Sequence, residues 1–496
     1  MNYDEDIKCD IVSSENSGTS TPAKLDDGTI SVVSAKEEVH YRVYKRRWAG
    51  LIGFVSSTSC YPLSNPFSSR AKIVLNIISA MSWPWFGPIS ENVAVEFNLS
   101  VTQVNWLGNI VSCVYLPVSL SIPYLCSRWG IKISTYIGAG ALLISAWVRY
   151  AGTVNGLQGN NAYALLLLGQ VFAAIAQPVW QVLGPMYSER WFSLKGRTTA
   201  TMLIAVSNPV GGAIGQIISP LPVNTRRSIL LLGILSTASI PFVFLIGEKP
   251  PTPPTFSGSH KTKSFSSLLK AMVGMQVDEA DRMTVRERVD FLIILISFGA
   301  LVGQSTAFSL LTGEIFVPLG YSDTTCGLLG SVLLLSGLVA ALISSPIFDR
   351  VFTHHFALVN KICTPIAGIL WLSLIWVVKP DNTGACFAIM ALLGIVSVPM
   401  LPIALELACE VTRNSDGSAA ILWCMSNVFG IMFVLVGGVL AAPPTAPIPY
   451  DMHKDLIFSG VVVVVICFTI LGLEGKQVRR RADEIHSKDI LEKGTV

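Results

Sequence analysis

The sequence contains few charged residues: Asp, Glu, Lys and Arg make up only 14% of its 496 residues, whereas about 25% is usual for a soluble domain. Long segments are almost free of charge, and the charged residues lie between them. This pattern excludes an ordinary soluble globular protein and indicates a chain that crosses a membrane several times. The net charge of +3 is then no sign of nucleic-acid binding. We expect a lipid bilayer as a partner, and a monomer.

Motifs for catalysis and metal binding are also missing. The ten cysteines are scattered, without a CxxC pair or a Cys/His spacing typical of zinc sites. The sequence contains no GxxxxGK[ST] loop and no HExxH motif. We therefore predict no catalytic residue, no metal site and no cofactor, and neither an enzyme nor an ATP-driven pump.

Apolar segments of spanning length follow one another along the chain. A transmembrane helix needs about 20 mostly apolar residues, and its backbone must be satisfied within the segment, so helices are expected. We predict an all-α polytopic membrane protein with twelve transmembrane helices in two six-helix halves. The first is an interrupted segment, Trp48–Phe86, and the others are Val104–Leu125, Ile133–Tyr150, Tyr163–Met186, Thr198–Pro220, Ile229–Ile246, Phe291–Phe316, Thr325–Ile347, Ala357–Val378, Ala385–Leu407, Ser418–Leu440 and Leu456–Leu473.

The distribution of Lys and Arg predicts the orientation. These residues concentrate in alternate connections, which places both termini and the central loop in the cytoplasm. The tripeptide NLS then puts a glycosylation acceptor, Asn98, on the outer side. The predicted organisation is a disordered tail (1–43), a first half (44–246), a central loop (247–288), a second half (289–473) and a C-terminal tail (474–496). We expect the plasma membrane, with the vacuole or another organelle as the alternative.

Six spans, a cytoplasmic loop and six further spans form the outline of the major facilitator superfamily. The loop after the second span, CSRWGIKIS, is similar to that superfamily's G-x-x-x-D-R-x-G-R-R/K turn, with Ser127 in the usual Asp position. The corresponding loop of the second half reads SPIFDRVFTHH and contains Asp349 and Arg350. The resemblance implies a conformational gate that includes these two residues with Arg128 and Lys132. The contacts between such a turn and the ends of neighbouring helices need an acid beside an arginine. Because the first-half loop lacks the acid, we expect weaker contacts there.

Within the superfamily the chain resembles the FLVCR family, the feline leukaemia virus subgroup C receptor-related transporters. The similar stretches are YKRRW, SAMSW, ISEN, VNWLGNIVSCVYLP, LGQVFAAIAQPV, VSNPVGGAIG, PIALELACEVT and SDGSAAILWCMSNVFGIMF. The resemblance covers most of 44–473. It implies a facilitative transporter of a small organic solute that works by alternating access. A choline- or ethanolamine-like amine is one candidate substrate, and haem or a pyridoxine-like vitamin is another.

In a facilitator fold the substrate site lies at the midplane between the halves. In FLVCR relatives that carry choline, the aromatic residue corresponding to Trp83, which we place in helix one, forms one wall of a quaternary-ammonium cage. The aromatic residue that forms the second wall in these relatives corresponds to Thr306 here, which is not aromatic. Whether choline itself is the substrate therefore stays open. The predicted substrate-binding residues are Trp83, Gln177, Asn208, Gln304, Thr306, Phe308 and Asn427.

Two carboxylates in the tenth span, Glu406 and Glu410, share a helix face and complete the predicted gate. We expect them near the cytoplasmic edge, paired with Arg413 or with the loop signature. Apart from them and Glu314, the spans contain almost no acids, which favours facilitated diffusion over proton-coupled symport. A membrane receptor that does not transport is the alternative from a different class.

The first predicted span is interrupted by the 18 residues Val55–Lys72. Without them the chain would read WAGLIGFIVLNIISAMSW, one apolar helix of normal length. The interruption carries two prolines and two basic residues, which are costly in a bilayer core. We hypothesise a short retained intron, since Val-Ser can be encoded by a donor-like sequence and Lys72 can end in AG. The alternative is a real loop, with the span beginning at Ile73.

Overall fold

The computed structural model describes residues 66–192, 194–222, 224–246, 265–277, 282–350, 355–443 and 445–475, and this part of the chain contains no β-strand. Short 3-10 turns follow three of the helices, at Ile240–Leu245, Val317–Leu319 and Thr469–Gly472. The helices are α1 (Pro66–Ala80), α2 (Ser90–Phe97), α3 (Val101–Ala151), α4 (Asn160–Trp191), α5 (Leu194–Ile218), α6 (Thr225–Ser239), α7 (Phe265–Val273), α8 (Val285–Phe316), α9 (Asp323–Arg350), α10 (Phe356–Val377), α11 (Thr383–Ser397), α12 (Met400–Thr412), α13 (Ser415–Leu440) and α14 (His453–Phe468).

Nine helical segments of the described chain are long and apolar enough to cross a bilayer. One of them, Thr102–Ala151, has 50 residues, more than twice the length that a span needs. It is interrupted at Gly130, whose φ of 83° lies in the left-handed region that favours glycine. The interruption falls within the loop predicted between the second and third spans. The described part of the chain is thus all-helical, as predicted, while the count of twelve spans stays a prediction.

Capping residues start two of the long helices earlier than hydropathy predicts. At α3, the Ser100 hydroxyl accepts from the Gln103 amide, and the Gln103 side chain accepts from the Ser100 amide. At α8, Thr284 and Glu287 form the same reciprocal pair. Such a capping box satisfies two helix-start donors that would otherwise lack partners. Helix α8 therefore begins within the predicted central loop, ahead of its apolar run.

The first apolar run differs from the prediction. Helix α1 has 15 residues and ends at Ala80, and residues 81–89, here called the 81–89 segment, turn without forming a helix. This segment contains Pro84 and Pro88, which lack an amide donor and disfavour helix at the preceding residue. Trp83 and Trp85 lie in this segment, so their predicted place inside helix one is wrong.

Only part of the proposed insertion falls within the described residues. Residues 66–72 form the start of α1, and 55–65 lie outside the described chain. The 15 helical residues of α1 are fewer than a span needs. The retained-intron hypothesis stays a prediction, as do the boundaries of the two tails and the central loop.

Glycines let several helices pack at very short distances. A Cβ at Gly211 of α5 would lie 2.1 Å from the Ile77 carbonyl oxygen of α1. A Cβ at Gly394 of α11 would lie 2.0 Å from the Leu333 carbonyl oxygen of α9. The absence of a side chain at these two glycines lets the helix backbones approach closely, as small residues do in membrane helix interfaces.

Candidate functional site

A central cavity lies between the two halves of the described chain. On one side its walls come from the 81–89 segment, α3, α4 and α5, and on the other from α8, α9, α11, α12 and α13. The empty space is about 840 Å³, counting the part that opens to solvent. Facilitator folds bind substrate at such an interface between repeats, so we take this cavity as the candidate substrate site.

Five of the seven predicted substrate-binding residues line this cavity: Trp83, Gln177, Asn208, Thr306 and Asn427. They come from five different elements, and the fold brings their side chains to one place. The substrate role of each stays a prediction, but their convergence is a property of the structure.

The other two predicted residues, Gln304 and Phe308, are not among the residues that line the cavity. They lie two positions before and after Thr306 on α8, and residues two apart do not share a helix face. Phe308 is buried, with its ring centroid 5.6 Å from that of Trp371 and 6.1 Å from that of Phe316. The Gln304 side chain is buried as well, and its Oε1 has no hydrogen-bond partner in the described chain. Packing is the role that the geometry gives to Phe308.

Trp83 packs closely against a glycine of α5. The side chain is 9% exposed, and a Cβ at Gly212 would lie 3.0 Å from its Cζ2 atom. The same Cβ would lie 3.4 Å from Leu334 of the second half. Gly212 therefore provides the space in which the indole sits between the halves.

Sequence reasoning missed two aromatic residues of the cavity, Tyr115 of α3 and Trp423 of α13. Tyr115 shares its helix face with Val111 and Ser112, which also line the cavity, and this three- and four-residue spacing was a usable signal. The Tyr115 hydroxyl and the Trp423 Nε1 have no hydrogen-bond partner within the described residues. A buried polar group without a partner costs about 1–3 kcal/mol. A bound solute with polar groups would offer partners.

Two amides of the cavity are oriented by their neighbours. Asn208 donates through Nδ2 to Asn76 Oδ1 at 3.4 Å, and Asn76 in turn donates to Ser207 Oγ at 2.7 Å. Asn427 donates through Nδ2 to the Trp423 carbonyl at 2.8 Å, which leaves its Oδ1 as an acceptor. The cavity thus contains neutral polar groups that are fixed in place before any ligand binds.

None of the described residues that line the cavity is charged. An anion would find no compensating charge there, whereas a cation can be held by the negative faces of aromatic rings. A neutral aromatic solute could also stack on the same rings. Within the described part of the chain, no group of three or more His, Cys, Asp or Glu residues could hold a metal ion.

A buried hydrogen bond joins the halves on one side of the cavity. The Thr201 hydroxyl of α5 donates to Glu406 Oε1 of α12 at 2.7 Å, and Ser188 Oγ of α4 lies 2.7 Å from the same hydroxyl. Arg413 forms its ion pair with Glu287, at 2.5 Å, rather than with the neighbouring glutamates. Glu406 therefore contacts the opposite half, and its role in a gate stays a prediction.

The other predicted gate and modification residues are placed as follows. Arg128 is exposed and donates to the Tyr124 hydroxyl at 3.3 Å. Lys132 lies 5.9 Å from the Tyr136 ring centroid, and Glu410 is buried on α12. The side chains of Asp349 and Arg350 lie outside the described residues. Asn98 is exposed at the end of α2, and its glycosylation stays a prediction, as does the gate.

We expect Thr201→Val to loosen the contact between the halves. Valine keeps the shape of threonine but cannot donate to Glu406, and a typical intramolecular hydrogen bond contributes about 0.5–1.5 kcal/mol. The yield of cross-links between cysteines introduced on α5 and α12 should therefore fall severalfold. Thr312→Val is the matched control, because the Thr312 hydroxyl bonds to carbonyls of its own helix. An equal yield in both variants would show that this bond does not hold the halves together.

Comparison with known proteins gives a consistent assignment. A family model described as Major Facilitator Superfamily matches residues 73–435. Solute carrier family 49 member A3 of Xenopus tropicalis is 26% identical over 476 residues, covering 92% of this chain and 92% of that protein. Choline/ethanolamine transporter FLVCR2 of Rattus norvegicus is 24% identical over 424 residues, covering 81% and 71%. Choline/ethanolamine transporter FLVCR1 of Mus musculus is 23% identical over 458 residues, covering 85% and 78%.

Proposed function

Because this chain belongs to the major facilitator superfamily and is an FLVCR-like transporter, we propose that it carries a small organic cation of the choline or ethanolamine type. The observation that carries the proposal is the chemistry of the central cavity, which combines aromatic rings and neutral polar groups without a charged residue. The relatives named as choline/ethanolamine transporters support the same substrate class. The proposal describes a transporter and not an enzyme.

The aromatic rings of the cavity supply the attraction for the cation. A quaternary ammonium against an aromatic face gains about 0.5–1 kcal/mol at exposed sites and about 2 kcal/mol when desolvated. Trp83 provides one face. Tyr115 and Trp423, from opposite halves, would provide the second aromatic wall, because Thr306 is not aromatic. The hydroxyl or amine of the substrate would bond with the Gln181 and Asn427 side chains.

Transport would follow from opening the two ends of the cavity in turn. Thr201 and Glu406 join the halves at one end. At the other end, the 81–89 segment and α3 press against α8, since a Cβ at Gly87 would lie 2.8 Å from the Ser309 carbonyl oxygen and one at Gly108 would lie 2.5 Å from Leu310 Cδ2. The proposal includes twelve spans, cytoplasmic termini and the plasma membrane. The lining residues offer no carboxylate to carry a coupling proton, which favours facilitated diffusion.

The alternatives differ in what the cavity must supply. Haem would be favoured by His, Cys or Tyr ligands, and the described lining residues include no His or Cys and one tyrosine, Tyr115. A pyridoxine-like vitamin is a second candidate, because its flat ring could stack on the aromatic residues. A receptor without transport would bind its ligand but produce no flux.

Thermal stabilisation of the purified full-length protein tests the substrate class. Choline or ethanolamine at about 100 times its dissociation constant should stabilise the fold by about 2.7 kcal/mol and raise the unfolding temperature. Tetramethylammonium serves as a probe of the cationic head alone and should give a smaller rise. Stabilisation by pyridoxine or haem, with none by the amines, would contradict the proposal.

A further inference from the structure

A buried arginine, Arg149, lies in the last turn of α3 and does not line the cavity. It is 1% exposed, and no carboxylate within the described residues pairs with it. A buried charged side chain is costly unless it is paired and hydrogen-bonded, so an arginine buried without a carboxylate partner indicates a specific role. The contacts of its guanidinium group indicate what it does.

Arg149 and Gln170 together hold one residue of the 81–89 segment. Arg149 Nη2 donates to Ser82 Oγ at 3.2 Å, and its Nη1 donates to Gln170 Oε1 at 3.0 Å. Gln170 Nε2 donates to the Ser82 carbonyl at 3.2 Å. Both oxygens of Ser82 are therefore held, and Ser82 is directly followed by Trp83.

The surrounding helices are shaped to admit this arginine. A Cβ at Gly169 of α4 would lie only 2.2 Å from Arg149 Cγ, so the glycine leaves room for the arginine stem. Arg149 Nε also donates to the Ser145 carbonyl of its own helix at 3.2 Å, which fixes the direction of the side chain. A planar guanidinium with five donors can bond to groups on several elements at once, which an ammonium group does less well.

A second anchor lies on the other side of Trp83. Trp85 Nε1 donates to Ser228 Oγ at 3.0 Å, and Ser228 Oγ donates to the Ser219 carbonyl at 2.8 Å. The 81–89 segment contains isolated turn bonds, such as Gly87 N–H to the Pro84 carbonyl at 3.2 Å, rather than a helical ladder, and these side chains add to them. The anchors on both sides determine where the Trp83 indole lies.

We propose that Arg149 and Gln170 are positioning residues of the substrate site, which fix the non-helical turn that presents Trp83 to the cavity. This inference rests on the proposed function of the cavity. The two residues touch no substrate and act through Trp83. Placement matters because a binding site works only when its side chains are held within about 0.5 Å of the productive geometry.

The first test compares choline affinity in the full-length protein. Arg149→Lys keeps the positive charge but loses the planar arrangement of guanidinium donors, and Arg149→Gln loses both the charge and these donors. Each variant should therefore weaken the affinity for choline by about tenfold. Ser82→Ala removes one acceptor with little change in volume and should weaken it by about threefold. In a Trp83→Ala background the same changes should alter affinity by less than about twofold. Equal losses with and without Trp83, or normal affinity in Arg149→Lys, would overturn the inference.

The second test does not depend on the substrate. A thiol introduced by Trp83→Cys is alkylated with N-ethylmaleimide, and its rate is followed by mass spectrometry of the peptide that contains it. Adding Arg149→Lys or Ser82→Ala should change that rate by about fivefold, whereas Arg226→Gln, an arginine bonded to Asn155, should leave it unchanged. An unchanged rate in all variants would contradict the positioning role. If the unmodified protein does not bind choline but the rate changes as expected, the substrate proposal alone fails.

Discussion

Replacing Trp83 with alanine is expected to weaken the apparent affinity for choline by roughly tenfold or more. A cation held against one indole face gains about 1–2 kcal/mol, and 1.4 kcal/mol is a factor of ten in affinity. Trp83→Phe keeps a weaker aromatic face and should give an intermediate affinity. A neutral substrate that stacks on the ring would also lose affinity with alanine, but it would be less sensitive to phenylalanine.

The comparison needs a control for the loss of a large buried side chain, which by itself destabilises a fold. Trp371→Ala is the matched variant, because Trp371 is also buried and does not line the cavity. Its affinity for choline should be unchanged at equal surface expression. If Trp83→Ala reaches the membrane and transports with unaltered affinity and rate, Trp83 is only a packing residue.

Replacing Gly211 with alanine is expected to give a large loss of stability for the addition of a single methyl group. The new Cβ would lie 2.1 Å from the Ile77 carbonyl oxygen and 2.8 Å from Ala80 Cβ. The first of these contacts is with backbone, so α1 and α5 must separate. Overpacking of this kind costs about 1–3 kcal/mol. The unfolding temperature of the purified protein should fall, and affinity should fall with it, since the 81–89 segment follows α1.

Gly140→Ala is the control for the intrinsic effect of alanine. Gly140 lies on α3, and a Cβ there would meet nothing within 4 Å. Alanine is favoured over glycine inside a helix by about 1 kcal/mol, so this variant should be as stable as the parent protein or more stable. Equal unfolding temperatures for the two variants would show that the contact between α1 and α5 is looser than the structure indicates.

The positions of most helices could be predicted from the sequence, and the main difference, the end of α1, has a physical reason. Long apolar runs predict spans because lipid admits few alternatives to a helix, and the loop that contains Gly130 was recognisable. The end of α1 was missed although Pro84 and Pro88 indicated it. The single apolar helix of normal length that remains without Val55–Lys72 outweighed that local signal. In the structure the two prolines, which disfavour helix, follow shortly after the end of α1.

The site was only partly predictable, because hydropathy does not say which helix face points inward. On α8, a two-residue offset separates Thr306, which lines the cavity, from Gln304 and Phe308, which do not. Trp423 was overlooked because tryptophan is commonly found at membrane interfaces. The contact between Arg149 and Ser82 joins residues 67 positions apart, and no local pattern predicts such a pair.

Choline flux in proteoliposomes tests the central claim most directly. The purified full-length protein is reconstituted, and entry of radiolabelled choline is followed without a proton or ion gradient. The account predicts uptake that saturates, that unlabelled ethanolamine inhibits, and that Trp83→Ala shifts to roughly tenfold higher concentration. Choline entry no faster than in protein-free vesicles, from a preparation that is folded and takes up pyridoxine, would contradict it.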